Sequence, residues 1–265
     1  MLKKKKLFSL ITPIAAASII LAACGASETG TNGSASEDGE GTTTLKVGTD
    51  AAYAPFESFD DKGNIVGIDV DVVNAIGEEL GVEFEINNVG WDPLFQQLIN
   101  SEVDLGISAI TITEERQETY DFTEPYYEAT QLIVTKEESD IESLQDIADK
   151  KIGVQMNTTG HFAAQDLQGK TSANIKPYET TPVAIQELIN GTVDAVIGDN
   201  AVIIEYIKNN PESKLKSIED DSFEKEYYGL MVKKGNKEVL DILNEGIQKL
   251  KESGKLAEIT GQEIE

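Results

Sequence analysis

The chain has 48 acidic residues and only one arginine, and that arginine closes an unusual stretch. ISAITITEER, residues 107–116, runs β-branched residues and three hydroxyl side chains into Arg116. A guanidinium at a strand-to-helix junction, beside Thr111 and backbone donors, is a planar fork that matches a carboxylate bidentately. A second reading has Arg116 neutralising Glu114 and Glu115 on a solvated helix. Asp199, at the end of VDAVIGD, offers an anion that suits an ammonium group. An arginine and an aspartate facing each other across a cleft would clamp a zwitterion. Two further polar sets follow short apolar runs: Asp50 with Tyr53 after LKVGT, and Gln155 with the NTTG loop (157–160) after KKIGV.

The positions of these residues follow from the elements that carry them. QQLINSEVDLGI (96–107) and QELINGTVDAVI (186–197) repeat with a constant offset of ninety, each reading as a helix end, a tight turn and a buried strand. LKVGTD (45–50) and KKIGVQ (150–155) are a weaker second echo. Two copies this far apart predict two α/β units rather than a solenoid. DVDVVNAIGEELG predicts a helix through Val70, Val73, Ile76 and Leu80 that stops at Gly81, and EFEIN a strand. WDPLFQQLIN predicts a helix from Pro93 with Asp92 as its cap. ATQLIVTK and EYYGLMVKK belong to neither copy and are expected to cross between the units, with the tail from Glu238 returning as helix. Ligands of open α/β sheets sit beyond the carboxyl ends of strands. That rule gathers Ser108, Thr111, Arg116, Asp199, Asp50, Tyr53 and Gln155 into one site.

The amino terminus and the charge exclude other classes. MLKKKK followed by an apolar run of about sixteen residues is shorter than a lasting membrane span and reads as an export signal. It ends in Leu-Ala-Ala before Cys24, the only cysteine, which rules out an intramolecular disulfide and looks like a bacterial lipobox with Cys24 as the lipidated residue. Residues 25–44 have no large apolar side chain and read as a tether spanning about 25 Å. Removing residues 1–23 takes away four lysines and no acids, which moves the formal charge from −26 to −30. Such a chain is not expected to bind nucleic acid, which needs basic surface.

GTDAAYAPFE, GIDVDVVNAI, GWDPLFQQL, GISAITITEERQETYDFTEPYYEATQLI, GVQMNTTG, VDAVIGDNAVIIEYI and EYYGLMV, in this order, resemble the extracytoplasmic solute-binding proteins of polar amino-acid ABC transporters. The resemblance covers nearly all of residues 45–250 and lies nearest the branch that binds arginine, lysine and histidine. It implies an α/β, two-lobed type II periplasmic-binding-protein fold with two crossing strands as hinge. Residues 45–135 and 226–265 would form lobe 1, residues 136–225 lobe 2, residues 1–23 the signal peptide and 24–44 the lipidated cysteine and tether. It implies a free L-amino acid, arginine or lysine first, as ligand, a membrane permease as partner, no cofactor, and a monomer anchored by lipid on Cys24 at the outer face of the cell membrane.

Carried over by position, Arg116 and Thr111 would hold the α-carboxylate with the backbone amides of Ala109 and Thr159. Asp199 and the Ser108 carbonyl would take the α-amino group. Tyr53 and Trp91 would sandwich the side chain, Asp50 would meet its far end, and Gln155 would complete the wall. The sequence departs from the family at Met156-Asn157, where many relatives carry glycine, at Gly198, and in a tail without the aromatic-rich ending. Glutamine or another neutral polar amino acid is the alternative ligand. A prephenate- or arogenate-type dehydratase on the same fold is the alternative of another class, with His161 its one acid–base candidate. A receptor's sensor domain would need a membrane-spanning exit after the lobes.

Overall fold

The computed structural model describes residues 44–264. The expected signal segment, Cys24 and nearly all of the tether therefore lie outside the described residues. Thr44, expected as the last residue of the tether, already pairs with Glu83 in the first strand.

The first half of the chain starts with β1 (Thr44–Thr49), followed by β2 (Ala52–Tyr53), β3 (Glu57–Phe59) and β4 (Ile65–Val66), which form a small antiparallel sheet. It continues through α1 (Ile68–Leu80), β5 (Glu83–Asn88), α2 (Trp91–Asn100), β6 (Leu105–Gly106), α3 (Glu114–Thr119) and β7 (Tyr120–Phe122). Strand β8 (Tyr127–Ala129) then leads into β9 (Gln131–Lys136), β10 (Ile152–Gln155), α4 (Thr159–Gln168), β11 (Ile175–Tyr178), α5 (Thr181–Ile189), β12 (Ala195–Asp199), α6 (Asn200–Asn209) and β13 (Leu215–Ile218). The return is β14 (Glu226–Tyr228), β15 (Met231–Lys233), α7 (Lys237–Glu252) and α8 (Lys255–Thr260).

Two five-stranded sheets result, ordered β5-β1-β6-β15-β7 and β11-β10-β12-β9-β13. In each, the first three strands run parallel and the fourth is antiparallel to both its neighbours. The fourth strand enters in each case from the crossing, where β8 and β14 pair antiparallel. Strand β9 thus belongs to the second sheet. The crossing falls before Gln131 rather than at the expected boundary of 135 and 136, because Gln131–Lys136 pair with β12 and β13.

The second sheet is covered on both faces, as the period-2 alternation of its strands requires. Leu132, Val134 and Val196 point to α5 residues Ala184, Ile185 and Leu188, while Ile133, Ala195 and Ile197 point to Ile147 and Ala164. The first sheet packs Val47, Leu105 and Ile107 against Val72, Val73 and Ile76 of α1 and Leu243 and Ile247 of α7. Gly246 on α7 allows that contact: a Cβ there would stand 2.5 Å from Ile76 Cγ2. Helix α1 ends as its sequence predicts, with Gly81 left-handed at φ 69 and its N–H donated to the Gly77 carbonyl. Helix α2 starts at Trp91, two residues before Pro93, with Gly90 at φ 80 as the preceding residue. Asp92 lies inside the first turn and is not the cap.

Candidate functional site

Four parallel strands end at the same place. Strand β1 delivers Asp50, β6 delivers Ser108, β10 ends in Gln155 and β12 in Asp199. Between the two lobes they surround a narrow cavity. Asp50, Tyr53, Trp91, Ser108, Ala109, Thr111 and Arg116 line it from the first lobe, and Gln155, Thr159 and Asp199 from the second. All ten residues singled out in the sequence meet here. Thr158, which was not singled out, joins them.

Arg116 sits in the first turn of α3, whose cap Thr113 accepts the Arg116 N–H at 3.1 Å. Its side chain is buried, with 8 % of the residue exposed. Nη1 donates to the Thr111 carbonyl at 2.8 Å and Nη2 to the Asn157 carbonyl of the other lobe at 3.3 Å. The guanidinium carbon lies 5.4 Å from the Trp91 ring centre and 5.6 Å from that of Phe95. Among the described residues no carboxylate is within ion-pair distance of Arg116, so Glu114 and Glu115 do not neutralise it. Burial lowers its pKa, and the charges of Glu226 and Asp199 oppose that. A guanidinium stays protonated regardless, so the wall carries a cation with no direct ion-pair partner.

Asp199 faces it from the second lobe. Its carboxylate accepts from the Gln131 amide and the Tyr228 hydroxyl. Burial raises its pKa, while these donors and Arg116 pull it down. Asp50 accepts from Gln155 Nε2 at 3.3 Å, across the cleft. Gln155 is oriented by Thr181, whose N–H and hydroxyl donate to Oε1 at 3.1 and 3.0 Å. Burial raises the Asp50 pKa, as do Glu179 and Asp92 nearby, against the Gln155 bond.

Two backbone N–H groups of the lining residues have no protein acceptor among the described residues. Thr159 opens α4, where first-turn N–H groups have no intrahelical carbonyl. The Thr111 N–H has no protein acceptor among the described residues. The Ala109 amide, expected to hold a ligand carboxylate, is instead donated to Asp69 Oδ2 at 2.8 Å. Asp69, in the first turn of α1, lies beneath the loop and uses that donor up. The adjacent Ser108 hydroxyl donates to Glu57 at 2.6 Å and accepts the Asp50 N–H at 3.1 Å.

Asn157 occupies the loop position at which a glycine was noted as common, and it adopts φ 61, left-handed like a glycine. Its side chain adds something a glycine lacks: Nδ2 donates to Asp92 Oδ1 of the first lobe at 3.0 Å. With the Arg116 contact, this links the lobes across the cavity mouth. His161 lies outside the cavity lining. Its N–H donates to Thr158 at 3.3 Å and its ring accepts the Asn157 N–H at 3.2 Å, a local role at the helix start. No group of three or more metal-ligating side chains occurs among the described residues.

Glu57, Asp69, Gln131, Glu226 and Tyr228 support the site and went unmarked in the sequence. The usable signal was alternation: Glu226 and Tyr228 are two apart on a crossing strand, so both point to the same face.

Two α/β lobes joined by paired crossing strands, with a polar cleft at their strand ends and an unpaired arginine in its wall, define a solute-binding protein. The chain belongs to the bacterial extracellular solute-binding proteins, family 3, which it matches over residues 45–262. It is 35 % identical over 247 residues to a probable histidine-binding protein of Neisseria gonorrhoeae, covering 93 % of this chain and 91 % of that one. It is 30 % identical to the arginine-binding extracellular protein ArtP of Bacillus subtilis, covering 96 % of each. Among solved structures, the arginine-, lysine-, histidine-binding protein ArtJ of Geobacillus stearothermophilus is similar at 50 % identity and TM-score 0.80, over 84 % of this chain and 97 % of that one.

Proposed function

We propose that this protein is the ligand-capturing component of an ABC importer for basic L-amino acids, with arginine preferred, and that it hands its ligand to a membrane permease. We further propose that it acts at the outer face of the cell membrane, as a monomer held by lipid on Cys24. The observation that carries the ligand reading is the buried, unpaired guanidinium of Arg116 facing Asp199 across the cavity. The first supports an α-carboxylate together with the N–H groups of Thr111 and Thr159, and the second an α-ammonium. Asp50 supports a cation at the far end of the side chain. Of the lining residues, Arg116 is the only cation, against two carboxylates. The relatives, named as arginine-, histidine- and lysine-binding proteins, support the same class.

Glutamine is the second reading, favoured by one similar structure: an ancestral arginine-binding protein bound to glutamine, 38 % identical with TM-score 0.77, over 83 % of this chain and 97 % of that one. A glutamine amide can donate to Asp50, but it lacks the charge that draws a guanidinium to a carboxylate and to the aromatic faces of the wall. We expect arginine over glutamine by about tenfold or more, or roughly 1.4 kcal/mol. Asp50→Asn should erase most of that gap by weakening arginine and sparing glutamine. Competition calorimetry on both proteins decides the matter. A wild type that prefers glutamine, or a variant that keeps the full arginine preference, would overturn the basic-ligand reading.

A further inference from the structure

A connected set of hydrogen bonds runs along the crossing strands, and the clamp described above uses only its ends. Glu226 opens β14. One of its oxygens, Oε2, accepts from Thr111 Oγ1 of the first lobe at 2.7 Å and from Thr159 Oγ1 of the second at 2.8 Å. Its other oxygen accepts from Gln131 Nε2 at 3.0 Å, and the same amide donates to Asp199. Glu226 does not line the ligand cavity. It lies behind that wall, beside an open groove between the lobes that Thr111 and Thr159 also border.

We propose that Glu226 is a positioning residue of the clamp. It draws the hydroxyls of Thr111 and Thr159 away from the ligand so that their N–H groups face it, and through Gln131 it sets the orientation of Asp199. The inference rests on the amino-acid reading above. Its physical basis is that the two threonines belong to different lobes. A single carboxylate oxygen has lone pairs for both hydroxyls, but it reaches both only when the lobes are together. The bridge therefore forms on closure and favours the closed state by its full strength. Burial and then the charge of Asp199 raise the Glu226 pKa, and the three donors counter that.

Glu226→Gln tests this with little change of shape, because its amide keeps only one acceptor oxygen and cannot serve the two threonine hydroxyls and Gln131 at once. L-Arginine is the probe, read by calorimetry and by stopped-flow dissociation. The expected result is a loss of affinity of roughly tenfold or more, as for a buried bond to a charged group, appearing as faster dissociation. Thr159→Val keeps its N–H and should lose affinity in the wild-type background. It should lose almost none once Glu226→Gln is present, and the thermal midpoint of the ligand-free protein should hold. A merely structural glutamate would instead lower that midpoint and leave the two losses additive. Unchanged affinity in Glu226→Gln, or additive losses, would overturn the proposal.

If Glu226→Gln fails to fold, Thr111→Val and Thr159→Val report on the same bridge from its other ends. Together they should cost little more than either alone, and full additivity would again overturn it. A wild type that binds no amino acid removes the functional reading and this inference together. A wild type that binds arginine while the losses add removes only the role of Glu226.

Discussion

The two lobes are built alike and equipped differently. In the first, Asp104 accepts the Lys46 N–H on its side chain at 2.8 Å and donates its own N–H to the Lys46 carbonyl at 2.8 Å. In the second, ninety residues on, Asp194 does the same to Lys151 at the same distances. Even the turn before each is shared, with Ser101 at φ 59 and Gly191 at φ 79. What lies behind the ligand wall is not shared. Behind Ser108 the first lobe buries two acids, Glu57 and Asp69, whereas the second backs Gln155 with the neutral Thr181. The repeat fixes where strands end, and each lobe was then free to carry its own chemistry there.

The sharpest form of this difference is the cation in one lobe against the anion in the other. Arg116→Ala should weaken every amino-acid ligand alike, by about 2 to 5 kcal/mol, because it removes one partner of a buried charge pair. Asp199→Asn should cost less, since the amide oxygen still accepts. Calorimetry with arginine, lysine and glutamine on both variants measures the asymmetry, and equal losses would mean that the lobes contribute equally.

The buried acids give the next largest effect. Glu57 is held well above the usual carboxylate range, first by burial and then by the charge of Asp69. Its Oε2 is buried with no donor to accept from, and a bond to Asp69 raises its pKa further. The folded chain holds the Glu57 proton more tightly than the unfolded chain does. The resulting stability is therefore complete below the usual carboxylate range and is lost as pH rises toward the folded-state value, by up to about 1.4 kcal/mol per pH unit. Glu57→Gln carries its hydrogen permanently, so its urea midpoint should fall less than that of the wild type between pH 5 and pH 8. Parallel profiles would show that this pair does not titrate with folding. The exposed acids held low by hydrogen bonds, such as Asp60 and Asp146, act with the opposite sign and only at lower pH.

The smallest effect tests the likeness itself. Asp104→Ala and Asp194→Ala each remove one solvent-accessible anchor, worth about 1 kcal/mol, and the two should destabilise by similar amounts in denaturant titration. A clear inequality would mean that the repeat is a likeness of shape and not of energetics.

The residues of the cavity could be found in advance because strand ends are local: a repeat, a turn and a β-branched run identify Asp50, Ser108, Gln155 and Asp199 without any knowledge of tertiary packing. What escaped was made by distant packing. Asp69 takes the Ala109 amide across forty residues, and Glu226 reaches Thr111 across more than a hundred. Alternation puts Glu226 on the same face as Tyr228 but does not say which distant partner it meets, and in so acidic a chain Asp69 on α1 looks like any other acid. Asp92 misled for a simpler reason. An aspartate before proline is a good cap by type, but Gly90, with its left-handed freedom, lets the helix begin earlier.

Trp91 is the only tryptophan in the chain, and it lies against the Arg116 guanidinium in the cavity wall. Its intrinsic emission therefore comes from one place, and that place is where a ligand carboxylate would meet the arginine. The protein thus carries its own optical probe: the fluorescence of the unlabelled chain should report occupancy of that wall without background from any other indole.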